Sequence, residues 1–468
     1  MAKVLLRARK GPFDAIPAGR SLRQDAFGSN AGNLVFSHAA YKILSTSGST
    51  VEHGQMPARP DDADRINQSY DVFVVPLANA FRRSFLDSLR GLTKLIERLT
   101  IPVVVLGVGA QSNLDYDLAR LQPLDDAVRA FVAAVLKRSA SIGVRGELTA
   151  NYLRHLGFGD DEVDVIGCPS VFLHGRGFQV TNPDGQLGRQ DRIALTVSPY
   201  VRKMGEIVMR HHQNYPNLLY IPQNTVDLRM MLRGDQPEDR GQTSKIPIYT
   251  THPLYVEGKM RFFLDPWTWI EHLSGYRFTF GSRIHGSIVS VLADTPAYVL
   301  AHDSRTLELA RYFELPYRTI DKVRRTMDAA ELYELADYSG FNAGYEARLD
   351  TLVRFLDKNG LDHIFRPGES GRDFDERVAR TEFPPPVRPR AKPARPHLAG
   401  DRPVGDQSAG RDHMDTDRRG ADRRGADRRG AGTSGAGARG TGKARVPALV
   451  RTRLRRLRRL IRRFVRRR

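Results

Sequence analysis

Three short segments combine residue types suited to holding an anion and moving a proton. They are Ile142-Gly-Val-Arg145-Gly-Glu147, Thr279-Phe-Gly-Ser-Arg283-Ile-His285-Gly286 and Val299-Leu-Ala-His302-Asp303-Ser-Arg305. Each reads as a strand, a tight turn and a helix start. Backbone N–H groups at a helix start are unpaired and carry partial positive charge, so an added arginine makes a site for phosphate or carboxylate. Glycines flanking Arg283 and His285 let a ligand come close to the backbone. Each corner has a plainer reading: a surface ion pair for an arginine, a structural role for a lone histidine, an N-cap for Asp303. From the residues alone, an anion site around Arg283 and His285 weighs evenly against those readings.

Such corners need strands behind them. Val72–Val75, Val103–Gly107, Ile142–Arg145, Val163–Ile166, Ile193–Val197, Leu218–Ile221, Ile246–Tyr249, Phe278–Phe280 and Ala297–Leu300 are short apolar runs, as buried parallel strands are. Amphipathic segments such as Phe81–Leu99, Asp125–Arg138, Glu147–Leu156, Arg283–Ala293 and Ser304–Phe313 lie between them. This alternation predicts βαβ units and an α/β fold. The stretch His174–Asp191, rich in Gly, Asn, Asp and Gln, reads as a linker between two doubly wound domains. A helical stretch, Met327–Asp357, is expected to pack back across them. Ligands of open α/β sheets sit beyond the carboxyl ends of strands, where the three corners fall.

The net charge of +20 is unevenly spread. From Pro384 onward there are 26 Arg and Lys against 7 Asp, leaving 47 basic and 46 acidic residues in 1–383. One cysteine, Cys168, excludes an intramolecular disulfide and a cysteine metal cluster; no metal or cofactor is expected. The start MAKVLLRARK has only Val4-Leu5-Leu6 as an apolar run, too short for a signal peptide. No run approaches the ~18 apolar residues of a spanning helix, so a cytoplasmic location is expected. From about Pro367 the Pro, Gly and Arg content predicts disorder. After Pro447, Val450, Leu454, Leu457, Ile461 and Phe464 recur at helical spacing among eleven arginines. That pattern fits the inner face of an anionic membrane better than nucleic acid, which its charge alone would suit; the remaining reading is a solubilising tail.

Five segments together resemble the polysaccharide pyruvyl transferase family. They are Ser29-Asn30-Ala31-Gly32-Asn33, Gly107-Val-Gly-Ala-Gln111, Val144-Arg145-Gly-Glu147, Gly167-Cys-Pro-Ser170 and Ser282-Arg283-Ile-His285, within roughly residues 25–315. The residues themselves give 321–366 as helices packed on the body, 367–445 as a disordered linker and 446–468 as a basic amphipathic helix. The resemblance does not touch that tail; it implies a fold similar to GT-B glycosyltransferases, with residues 1–182 and 183–320 as two Rossmann-like domains. It implies transfer of the enolpyruvyl unit of phosphoenolpyruvate onto two hydroxyls of a sugar, leaving a pyruvate ketal and phosphate. It makes Arg145, Arg283 and Arg305 donor-binding residues, with Arg305 standing where the family often has lysine. Asn30, Gly32 and Asn33 fall to the acceptor or the cleft.

A histidine suits proton delivery to the methylene carbon of such a donor, which assigns His285 as general acid. Glu147 and Asp303 are candidate bases, Trp267 and Trp269 read as packing residues, and Cys168 is disfavoured as a nucleophile. The rivals are a glycosyltransferase using a nucleotide sugar, and a non-catalytic binder of anionic glycans held at the membrane by its tail.

Overall fold

The short apolar run near the N-terminus forms a central strand. β1 (Ala2–Arg7) pairs in parallel with β2 (Ser49–Gly54) and with β3 (Val72–Pro76), and β3 pairs with β4 (Val103–Leu106). The computed structural model describes residues 1–54, 59–235 and 245–390, within a single unit spanning Met1–Ala391. A second parallel pair, β5 (Ile142–Val144) and β6 (Val163–Val165), continues from β4 through a bridge between Val108 and Val144. The order is therefore β2-β1-β3-β4-β5-β6.

The strand period of two divides these residues between two cores. Val4, Leu6, Val74, Val104 and Leu106 face one; Leu5, Phe73, Val75, Val103 and Val105 face the other. A sheet buried on both faces favours the Val-rich runs seen here. The C-terminal sheet is also parallel: β7 (Ile193–Thr196), β8 (Leu219–Tyr220), β9 (Phe278–Gly281), β10 (Ala297–Ala301) and β11 (Tyr317–Thr319), in the order β11-β10-β9-β7-β8. Every residue of β7, β9 and β10 is buried. The chain is thus α/β, with a parallel sheet in each of two Rossmann-like halves.

One expected strand is absent, and β1, β2 and β11 are additional to those expected. Ile246–Tyr249 is not a strand, because Pro247 has no N–H for a ladder; Met260 bridges Tyr220 instead. Polar β2 and half-buried β11 lacked an apolar run to reveal them. The stretch His174–Asp191 forms no helix or strand, yet Phe178, Val180 and Leu187 are buried.

Order also extends beyond Pro367. A helix, Arg372–Arg380, buries Phe374 and Val378 on one face, and Phe374 packs on Phe13 at 5.1 Å between ring centroids. Asp375 pairs with Lys42 at 2.7 Å. Val387 then exchanges backbone hydrogen bonds with Phe262 at 2.8 and 3.0 Å. Averaged composition concealed two apolar residues at i, i+4, which suffice to dock one face. Residues 391–445 of the expected linker and the amphipathic segment 446–468 lie outside the described residues.

The long helix Ser339–Lys358 crosses to the N-terminal half. Tyr345 Oη donates to Gly175 O at 2.8 Å, and Lys358 Nζ pairs with Asp164 at 3.0 Å. Among the described residues no helix is long and apolar enough to cross a membrane.

Candidate functional site

β5 delivers Arg145 at its carboxyl end, where the side chain is only 2 % exposed. Its Nε donates to Gly107 O at 3.2 Å, and its backbone N–H to Val108 O at 3.0 Å. The stem runs over Gly109, where a Cβ would lie 2.7 Å from Arg145 Cδ. Gly107 at φ +63° turns the loop that receives it. Nη2 is buried and has no hydrogen-bond partner, and Arg145 joins no ion pair among the described residues. Burial lowers its pKa, against pulls from Cys168 and Glu308. A guanidinium held by one edge and unpaired at another is suited to an anion.

The second corner is built against β7. Gly281, at φ +147°, lies where a Cβ would approach Thr196 O to 1.9 Å, so only glycine fits. Ser282 Oγ accepts from Ser198 N at 2.9 Å. Arg283 occupies the N-cap position of the helix Ile284–Leu292, and its Nη2 donates to Asn224 Oδ1 at 2.7 Å. His285 follows in the first turn, and Gly286 lets that turn sit on Thr196, 2.6 Å from where a Cβ would be.

His285 is where the corners meet. Burial first, then the positive charges of Arg145, Arg305 and Arg283, depress its imidazole to about 3. It is therefore neutral at physiological pH in this structure. Its Nε2 lies 3.9 Å from Cys168 Sγ, which in turn donates to Ser170 Oγ at 3.2 Å. The N-terminal half closes on it as well, since a Cβ on Gly32 would come within 2.9 Å of His285 Cβ.

Gly32 opens the helix Gly32–Leu44, and its N–H donates to Asn30 Oδ1 at 2.8 Å. Asn30 forms an antiparallel bridge with Asn224, and Ala31 N donates to Gln223 O at 2.8 Å. The Asn-Gly loop is thus paired to the loop that holds Arg283. Asn33 turns its amide inward, donating to Phe27 O at 2.9 Å and Gly28 O at 3.1 Å, so its side chain is spent on the loop itself.

At the third corner, Asp303 caps the helix Ser304–Tyr312 by accepting from Thr306 N at 3.1 Å. It also accepts from Arg305 Nε at 2.8 Å and lies 3.5 Å from His302. Burial pushes the Asp303 carboxyl up, but Arg305 and His302 hold it below its ordinary value. Asp303 is committed to capping and pairing. Glu147 points to solvent beside Arg154, its side chain 69 % exposed. Of the two candidate bases, the structure brings only Asp303 to the site.

Two site residues escaped sequence reading. Asn224 orients Arg283, and its signal was the capping box it forms with Asp227 three residues on. Glu308, four residues after Ser304, is 2 % exposed and accepts from Thr149 N at 2.8 Å and Thr149 Oγ1 at 3.2 Å. Nothing local marks it.

A family model described as polysaccharide pyruvyl transferase matches residues 30–304. No curated protein matches the chain. Among solved structures, a UDP-GlcNAc 2-epimerase of Methanocaldococcus jannaschii is 9 % identical, with a TM-score of 0.37, over 75 % of this chain and 99 % of that one. A UDP-GlcNAc 2-epimerase of Neisseria meningitidis is 11 % identical, with a TM-score of 0.36, over 80 % of this chain and 99 % of that one.

Proposed function

The chain belongs to the polysaccharide pyruvyl transferase family, matched over residues 30–304, and from that premise we propose that it moves the enolpyruvyl unit of phosphoenolpyruvate onto two hydroxyls of a sugar. The observation that supports this reading best is the set of three arginines whose charges fall on one imidazole. Phosphoenolpyruvate carries a phosphate and a carboxylate, and its charge would offset that cluster. Arg145, Arg283 and Arg305 bind the donor, aided by the first amides of the helix Ile284–Leu292.

The free site disfavours a protonated His285 first because the ring is buried and then because three guanidinium charges act on it. A bound donor brings compensating negative charge, so donor binding itself raises the imidazole pKa and loads the proton. His285 then delivers that proton to the methylene carbon, and carbon 2 takes on oxocarbenium character. One sugar hydroxyl adds to carbon 2, phosphate leaves, and the second hydroxyl closes the ketal. Of the two hydroxyl protons, one replaces the proton given up by His285 and the other departs with phosphate. The Asn30–Asn33 loop lines the acceptor side of the cleft.

The acceptor is a sugar of a cell-surface polysaccharide or of its lipid-linked precursor. The basic apolar pattern of 446–468 supports cytoplasmic action at the inner face of a membrane. Incubation with phosphoenolpyruvate and candidate glycans tests the reading: glycan-dependent phosphate release with a mass gain on the glycan is expected. Absence of both across pyruvylatable glycans overturns it.

A further inference from the structure

Glu308 belongs to no motif, yet its carboxylate joins the two halves of the molecule. It rises from the helix Ser304–Tyr312 after β10 and reaches the first turn of the helix Glu147–His155 after β5. Thr149 N and Oγ1 both donate to it, at 2.8 and 3.2 Å. Thr149 Oγ1 itself accepts from Ala110 N at 3.0 Å, in the loop whose Gly107 carbonyl holds Arg145 Nε. The fit is close: a Cβ on Gly146, the residue next to Arg145, would lie 2.1 Å from Glu308 Cγ. One turn earlier, Ser304 Oγ accepts from Ser112 N at 2.7 Å. Arg305, also on this helix, is carried by the same contacts.

Arg145 is buried with Nη2 unpaired. The position of its guanidinium therefore depends on the loop and corner that Glu308 ties down. We propose that Glu308, in its ionised form, is a positioning residue that locks the helix Ser304–Tyr312 to the Gly146–Thr149 corner and so sets how Arg145 and Arg305 meet the donor. The proposal rests on the pyruvyl-transfer reading for the identity of that donor. A carboxylate can accept from both Thr149 donors; once protonated, one oxygen becomes a donor and the lock loosens. The charged and titratable groups facing it are Arg145 and Glu147 on the corner and Tyr116 on the preceding loop. Burial raises Glu308 to about 7, against the pull of the Thr149 bonds and of Arg145. Donor affinity should therefore weaken as pH falls through neutrality.

The test compares wild type, Glu308→Gln and Thr149→Val in the full chain. Thr149→Val keeps the side-chain shape and breaks the same chain of bonds from the other side. Phosphoenolpyruvate affinity is measured from pH 6 to 8.5, and backbone amide exchange at 107–112 and 146–150 without ligand. Both variants should exchange faster in both segments and bind roughly tenfold more weakly at pH 8, the scale of one lost hydrogen bond to a charged group. Glu308→Gln should also lose the wild-type decline below pH 7 that exceeds the titration of the ligand's own phosphate. Wild-type exchange, affinity and pH profile in both variants overturn the proposal. Faster exchange in both variants, with no phosphoenolpyruvate binding by wild type, leaves the lock standing and removes the donor assignment instead.

Discussion

A Cβ placed on Gly32 would lie 2.9 Å from the Cβ of His285. The N-terminal half therefore touches the imidazole-bearing turn of the C-terminal half through a glycine with no side chain to spare. Gly32→Ala must shift one of the two helix starts, a change that costs about 1–3 kcal/mol in overpacked sites. Turnover is expected to fall at least about tenfold while phosphoenolpyruvate affinity changes less, because the arginines are untouched. Steady-state kinetics beside direct donor titration checks this; an unaltered kcat removes the contact from the mechanism.

His285→Gln should lower kcat by about 10²–10⁴, the usual range for a general acid, with donor binding retained. The depressed imidazole adds a second expectation. Wild type should take up more protons than His285→Gln on binding phosphoenolpyruvate near pH 7, since the donor's charge offsets three arginines. Calorimetry in two buffers of different ionisation heat measures the difference. Equal uptake by the two proteins means that the proton is not loaded on this ring.

The arginines should not be interchangeable with lysine to the same degree. Arg145 uses Nε on Gly107 O while leaving Nη2 unpaired, a division of labour an ammonium cannot copy. Arg145→Lys is expected to cost about 100-fold in kcat/KM, from one or two charge-assisted hydrogen bonds. Arg305 pairs chiefly with Asp303, and a lysine can keep that pair, so Arg305→Lys should stay within about tenfold of wild type. The reverse ranking would assign Arg145 a structural role.

Burial depresses His285 to about 3 and His174, His252 and His272 to about 4. Each sits near 6.5 in the unfolded chain, so between those values the folded state binds fewer protons and stability rises with pH. This stabilisation is complete above about pH 6.5 and is lost as pH falls towards 4. Glu308, raised to about 7, opposes the slope with a single group. The urea midpoint should be lower at pH 5 than at pH 7, and a flat profile would contradict the burial of these imidazoles.

The alternating apolar and arginine pattern after Pro447 predicts binding to anionic lipid. Full-length protein should sediment with phosphatidylserine-containing vesicles, and a 1–445 truncation should not. Salt should weaken the interaction, because each basic residue near the surface contributes about 1 kcal/mol. Equal sedimentation of the two chains removes the idea.

Much of this molecule could be read along the chain. Short Val-rich runs and amphipathic segments are local signals of 3.6- and 2-residue period, and they marked β3 to β10 and the three corners where Arg145, His285 and Arg305 lie. Local signals do not say which segments meet. Glu308 and Thr149 are 159 residues apart, and Arg283 and Asn224 are 59 apart; neither pairing leaves a trace in spacing. β1 is central only because β2 and β3 flank it, and the segment 372–387 is ordered only because Phe13, Lys42 and Phe262 receive it. Residue types alone placed a histidine beside arginines. Only the folded packing, by burying that imidazole among three guanidinium charges, decided that it stands neutral.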